Sequence, residues 1–184
     1  DGGGDGGGGI DTGDDFSVTA SCDDTSSSAS SIYGTLFAWE SDSGAVVFNS
    51  AAWWMSPDED VVILVVSEAD NTCDVLSDLS SGSYADKAFL VNLSGWSGYG
   101  PGLIAMDSTD PFMSASAYVY EDGAGGSRSL IGSESYIDVM GLEPGSTFSF
   151  QVNIDEFDAD PSRGVEGTGE ACYCGELDGF SLPV

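Results

Sequence analysis

Apolar and polar residues alternate with a period of two along much of this chain. The clearest run is Phe148 to Ile154. Phe148, Phe150, Val152 and Ile154 fall on one side, and Ser149, Gln151 and Asn153 on the other. That pattern predicts a half-buried strand. Glu143-Pro144-Gly145 precedes it, with Pro and Gly at the second and third positions of a type II turn. Tyr136 to Met140 is then the opposite arm. Further strands are predicted at Phe16 to Cys22, Ile32 to Trp39, Val46 to Trp54, Ala88 to Leu93, Phe112 to Tyr120 and Gly164 to Cys174. Asp42-Ser43-Gly44 predicts a hairpin between the second and third of these, and Glu121-Asp122-Gly123 a turn after Tyr120. Phe180 to Val184 predicts a last strand at an edge, the only place a sheet tolerates Pro183.

Two stretches depart from alternation. Val61 to Val66 is apolar throughout, which suits a strand buried on both faces. Asp58, Glu59 and Asp60 before it, and Glu68 and Asp70 after it, guard it against aggregation. It is far shorter than the roughly 20 residues that span a bilayer as a helix. Asn71 to Leu79 predicts a short helix, with Cys73, Leu76 and Leu79 on one side and Thr72 placed to cap it. About nine or ten short strands with regular turn signals, and no repeating helical pattern between them, predict an all-β fold. The expected architecture is a single β-sandwich or jelly-roll-like domain over residues 16–184, with a Gly/Asp-rich N-terminal extension over residues 1–15.

Charge narrows the function classes. The 184 residues include 32 Asp and Glu, 3 Lys and Arg and no His, for a net charge of −29. Such a chain repels phosphate backbones and anionic headgroups, so nucleic acid is not an expected partner. Without histidine, Ser-His-Asp and Cys-His catalysis and His-ligated metal sites are excluded. Gly95-Trp96-Ser97-Gly98-Tyr99 approaches a nucleophile elbow but has Tyr99 where the motif needs Gly. A carboxylate pair acting on glycosidic bonds is compatible with the composition, but no pair stands out. The expectation is a protein that is not an enzyme.

Four cysteines, Cys22, Cys73, Cys172 and Cys174, allow three pairings. Their spacing lacks the paired Cys-x2-Cys knuckles of a zinc ribbon, which favours disulfides. Cys172 and Cys174 are two apart in a strand and face the same way. If both are bridged, the end of the chain ties down its start and middle. Asp155, Asp158 and Asp160 alternate at a strand end and are the candidate ligands for calcium, which takes several oxygens from such a loop. No other cofactor is expected. Trp53 and Trp54 are consecutive in a strand and point to opposite faces. One is core; the other, with Trp96 and Tyr99 of the glycine-rich loop, is a candidate aromatic for a sugar or a subunit contact. Asn92-Leu93-Ser94 is a formal N-glycosylation sequence inside a predicted strand.

The chain starts at Asp1 with no Met and no apolar leader, and reads as a mature product whose signal was removed. In its Gly/Asp tail, in "VVILVVSEADNTC" (Val61 to Cys73) and in "GTGEACYC" (Gly167 to Cys174), the chain resembles a loose group of exported proteins and lipoproteins of myxobacteria and related bacteria. That resemblance implies pairing of Cys73 with Cys174, and of Cys22 with Cys172. It implies no activity.

Residues 1–15, DGGGDGGGGIDTGDD, have almost nothing to bury, and ordering each backbone residue costs roughly 1–2 kcal/mol. Strand addition to a sheet edge is one way to order such a segment, because main-chain bonds carry it. The leading expectation is therefore an extracellular or cell-surface structural subunit that assembles with copies of itself into a filament or layer. The N-terminal arm would be the connector, with Ile10 and Phe16 as anchors. The alternative is a cell-surface module that binds polysaccharide or calcium. Self-repulsion of so acidic a chain predicts that salt stabilises it, since ions confine each charge to about 8 Å at physiological strength. The melting temperature should rise from low to molar salt. A flat profile, with and without chelator, would argue against both charge repulsion and calcium.

Overall fold

The computed structural model describes residues 48–98, 100–106, 114–121, 126–130, 135–141, 148–155 and 164–181. The expected strands at Phe16 to Cys22 and Ile32 to Trp39, the arm with Ile10, and the turns at Asp42, Asp122 and Pro144 lie outside them.

Among the described residues nine strands form one sheet: β1 (Ser50–Met55), β2 (Val61–Ser67), β3 (Ala88–Ser94), β4 (Gly102–Ala105), β5 (Ser114–Glu121), β6 (Gly126–Leu130), β7 (Tyr136–Gly141), β8 (Phe148–Asp155) and β9 (Gly164–Tyr173). A short helix, α1 (Leu76–Ser81), lies between β2 and β3. The strand order is β4-β7-β8-β9-β1-β2-β3-β5-β6. Every neighbouring pair is antiparallel except β1 with β9. The sheet curls nearly into a barrel, in the β-sandwich and barrel class, and its order does not single out a jelly roll.

The sheet has two arms, β1-β2-β3-β5-β6 and β4-β7-β8-β9, joined where β9 meets β1. Alternation decides what each arm buries. Trp53, Leu64, Val66, Phe89, Val91 and Val119 of the first arm share an inner core with Ile137, Phe148, Phe150, Val152, Ile154 and Val165 of the second. Aromatic edges meet aromatic faces there: Trp53 lies 5.9 Å from Phe148, and Phe48 lies 5.2 Å from Phe89. Such contacts add to the roughly 1.5–3 kcal/mol of burying each large side chain.

The first arm also buries part of its outer face, chiefly on β1 and β2. Ala52, Trp54, Ile63, Val65 and Leu90 form a second apolar cluster with Leu76 and Leu79 of α1, Tyr84 and Leu177. This second cover explains why Val62 to Val66 are all buried although β2 is antiparallel to both its neighbours. The β1–β2 turn is tied by Ser56, whose Oγ accepts from the N–H groups of Val61 (2.9 Å) and Asp60 (3.1 Å). The Ser56 hydroxyl also donates to Asp58, and the Asp60 backbone N–H donates to the same group. These bonds hold the Asp58 carboxyl below its usual pKa.

Three details differ from the pattern-based expectation. β4 emerges from the glycine-rich stretch, where four residues carry too little periodicity to be seen. β6, GSRSL, has no alternating apolar side and is held by its ladder with β5. Phe180 is not in a strand: its N–H donates to the Leu177 carbonyl (3.0 Å), closing a turn.

Phe148 is fully buried against Trp53 and Phe150 at the meeting of the two arms. Phe148→Ala should cost about 3–5 kcal/mol in denaturant unfolding. A loss below about 1 kcal/mol, outside the usual range for such truncations, would mean that the arms do not share this core.

Candidate functional site

The end of β9 places the cysteines. Ala171 faces the inner core, whereas Cys172 and Cys174 face the outer cluster. Past the ladder, the Cys174 N–H donates to the Trp53 carbonyl (2.8 Å), so the chain stays against β1. Cys174 is bonded to Cys73, with 6.1 Å between Cα atoms and a sequence separation of 101. Both are buried. Cys172 is disulfide-bonded as well; Cys22 lies outside the described residues.

A 3-10 turn, Cys73–Val75, leads from one half-cystine directly into α1, and another, Gly175–Leu177, follows the other. The disulfide is thus the hinge of a cleft of about 340 Å³. Leu76, Ser77 and Ser80 line one wall, and Glu176, Asp178 and Phe180 the other. Ser80 Oγ donates to the Ser77 carbonyl (3.0 Å). The N–H groups of Leu177, Asp178 and Phe180 are spent on carbonyls of their own turn. The cleft therefore offers mainly acceptors beside a half-buried ring. Glu176, Asp178 and Phe180 carried no signal in sequence, because their turn reaches α1 through the Cys73–Cys174 link and the packing of Leu177 in the outer cluster.

A buried hydroxyl cluster locks the helix wall to the sheet. Thr72 Oγ1 lies 2.8 Å from both Ser50 Oγ and Ser67 Oγ and donates to the Ser50 carbonyl (2.9 Å). This corrects the expectation that Thr72 caps the helix. Its hydroxyl is committed to the sheet, and Asn71 Oδ1 instead accepts from the Cys73 N–H (3.2 Å). On the far side of this cover the Tyr120 hydroxyl donates to the Tyr84 carbonyl (2.9 Å).

Trp53, Trp54 and Trp96 are not at the surface. Trp53 lies in the inner core between Phe148 and Tyr173, its ring 5.4 Å from the latter. Trp54 is in the outer cluster, and Trp96 returns to the inner core behind a bond from its N–H to the Asp60 carbonyl (3.0 Å). The expectation that one of Trp53 and Trp54, together with Trp96, is exposed is corrected: both faces of β1 are covered, and burial of an indole is the larger gain. Tyr99, Asp158 and Asp160 lie outside the described residues, as do Ile10 and Phe16; Asp155 is known only as the last residue of β8. Among the described residues no group of three or more acidic or sulfur side chains is arranged to hold a metal ion. No helix among them is long and apolar enough to cross a membrane.

A second feature is the open edge at β4. Among the described residues β4 pairs only with β7. The Met106 N–H donates to the Ser135 carbonyl (2.9 Å), which sets the phase of that ladder. Gly102 and Ile104 bond to β7, so the N–H and C=O groups of Leu103 and Ala105 point away from it. Leu103 is 66% exposed, and its diagonal neighbour on β7, Met140, is 57% exposed. No protein-family model, curated protein or solved structure matches the chain.

Replacing Cys73 and Cys174 by Ala should lower stability by about 2–5 kcal/mol, since the bridge closes a long loop and roofs the outer cluster. Urea unfolding of the double variant measures this. A cost near zero would show that the outer cluster holds without its bridge.

Proposed function

We propose that this chain is a non-enzymatic extracellular structural subunit that assembles with copies of itself, through its N-terminal arm, into a filament or surface layer. The observation that carries the reading is the outer edge of β4, which among the described residues has no strand paired to it. Its outward backbone groups, beside exposed Leu103 and Met140, suit the addition of a strand from another copy. The Gly/Asp-rich arm suits that role, because glycine lets backbones approach closely and residues 1–15 reach about 50 Å when extended. A contact of arm to edge is heterologous and propagates into a ring or filament. Export is supported by the buried Cys73–Cys174 disulfide, since such bonds persist in oxidising compartments. The charge of −29 opposes association of like copies, so assembly needs salt or cations.

One observation favours a second reading, a cell-surface module for polysaccharide. The cleft sets acceptors, Glu176, Asp178, Ser77 and Ser80, around the half-buried ring of Phe180. Binding of a monomer on a glycan array, lost with Phe180→Ala, would favour this reading; a chelator arm separates calcium from direct contact.

Deleting residues 1–15 should leave a folded monomer that no longer assembles, and Leu103→Lys in the full chain should weaken assembly. Sedimentation in high salt reads both. Large assemblies from the truncated chain would end the arm reading.

A further inference from the structure

We propose that Asn92 is a site of covalent N-glycosylation, its side-chain nitrogen carrying a sugar on the outer face of the sheet. The inference rests on the proposal that the chain is exported, and not on its assembly.

Asn92 stands in β3, between β2 and β5, opposite Ile63 and Ser116. Phe89, Val91 and Leu93 of that strand face the inner core, so Leu90 and Asn92 face outward. The neighbours of Asn92 on that face are apolar on one side, with Ile63 and Leu90 buried. Oδ1 is buried and has no hydrogen-bond partner, while the side chain as a whole is half-buried, so part of it reaches the surface. A buried acceptor without a partner lowers stability. A valine or threonine would serve this strand better, so the sheet gains nothing from an amide here. What the position does provide is a half-buried amide held in a central strand on the outer face.

The amide nitrogen is the atom N-glycosylation uses. Of the four asparagines, Asn49, Asn71, Asn92 and Asn153, only Asn92 has Ser or Thr two residues on, at Ser94. Ser94 ends β3 and is half-buried. Tyr118 of β5 lies one diagonal step from Asn92 on the same face and is 37% exposed. Its ring is within reach of the first sugar, whose apolar face stacks on aromatics. Among the described residues it is the one large exposed aromatic.

The donor is a sugar linked through C1 to a membrane polyprenyl phosphate or pyrophosphate, delivered by a membrane glycosyltransferase outside the cytoplasm. Nδ2 forms the bond to C1 and loses one proton. The C1–O bond to the phosphate breaks, and the lipid phosphate or pyrophosphate leaves with the electron pair. No oxidation occurs.

Protein recovered from its native source tests the proposal. Digestion before aspartate and mass spectrometry should find the peptide containing Asn92 heavier by one or more sugar residues, with fragmentation placing them on Asn92. In the same host, Ser94→Ala should return the peptide to its unmodified mass, and Ser94→Thr should keep the sugar. An unmodified Asn92 in chain recovered outside the cell, with Cys73–Cys174 intact, overturns the proposal and leaves export standing. Chain found only inside the cell, with reduced thiols, overturns export and glycosylation together.

Discussion

The fold depends on the seam between β9 and β1. Among the described residues the backbones of the two arms pair only there, and the parallel ladder is short: Ala52 opposite Cys172 and Trp53 opposite Tyr173. Parallel pairing is slightly weaker per residue than antiparallel, so two such steps would be a poor hinge for a shared core. The side chains reinforce them. Trp53 packs on Tyr173 and Phe148, its carbonyl takes the Cys174 N–H, and the disulfide fixes the same residue to Cys73. One indole thus contacts both arms while its backbone receives the end of β9. Loosening this point exposes the inner faces of both arms at once.

The outer cluster is a consequence of that arrangement. β1 and β2 lie in the middle of the sheet, and a central strand that is apolar on both sides needs a second cover. The six-residue α1 is too short to be stable by itself in water. It is held from three directions: by Leu76 and Leu79 on the sheet, by the Thr72 hydroxyl in the Ser50–Ser67 cluster, and by Cys73 in the disulfide. The hydroxyls are buried but satisfied, so they add specificity to a contact whose energy comes from apolar area. The cleft beside α1 exists because two short segments leave the same bridge in different directions.

Opposed forces act on the rest of the surface. A net charge of −29 keeps copies apart, yet beside the β4 edge two apolar side chains, Leu103 and Met140, are exposed. Edge strands commonly carry charge or cover to prevent pairing. Here Asp138 lies opposite Leu103 and is the nearest acidic group in register. Long-range repulsion with short-range adhesion would make any association of copies depend on ionic strength.

The sequence by itself determined the class of fold and most of its strands, because alternation is a local property: Phe148 to Ile154 faces inward at every second residue whatever it meets. The uninterrupted Val61 to Val66 run likewise declared two buried faces, and the absence of histidine removed whole classes of chemistry without any structure. What tertiary structure alone decided was everything that depends on who meets whom. Thr72 has the right type and place for a helix cap, but Ser50 and Ser67 claim its hydroxyl from strands 22 and 5 residues away. Trp54 and Trp96 read as surface aromatics until α1 and the Asp60 turn covered them. β4 and β6 were illegible because four or five residues without clean alternation become strands only when a neighbour supplies hydrogen bonds. The cleft was hidden for the same reason: Ser77 and Glu176 are about a hundred residues apart, and the bridge between Cys73 and Cys174, with the outer cluster around it, makes them neighbours.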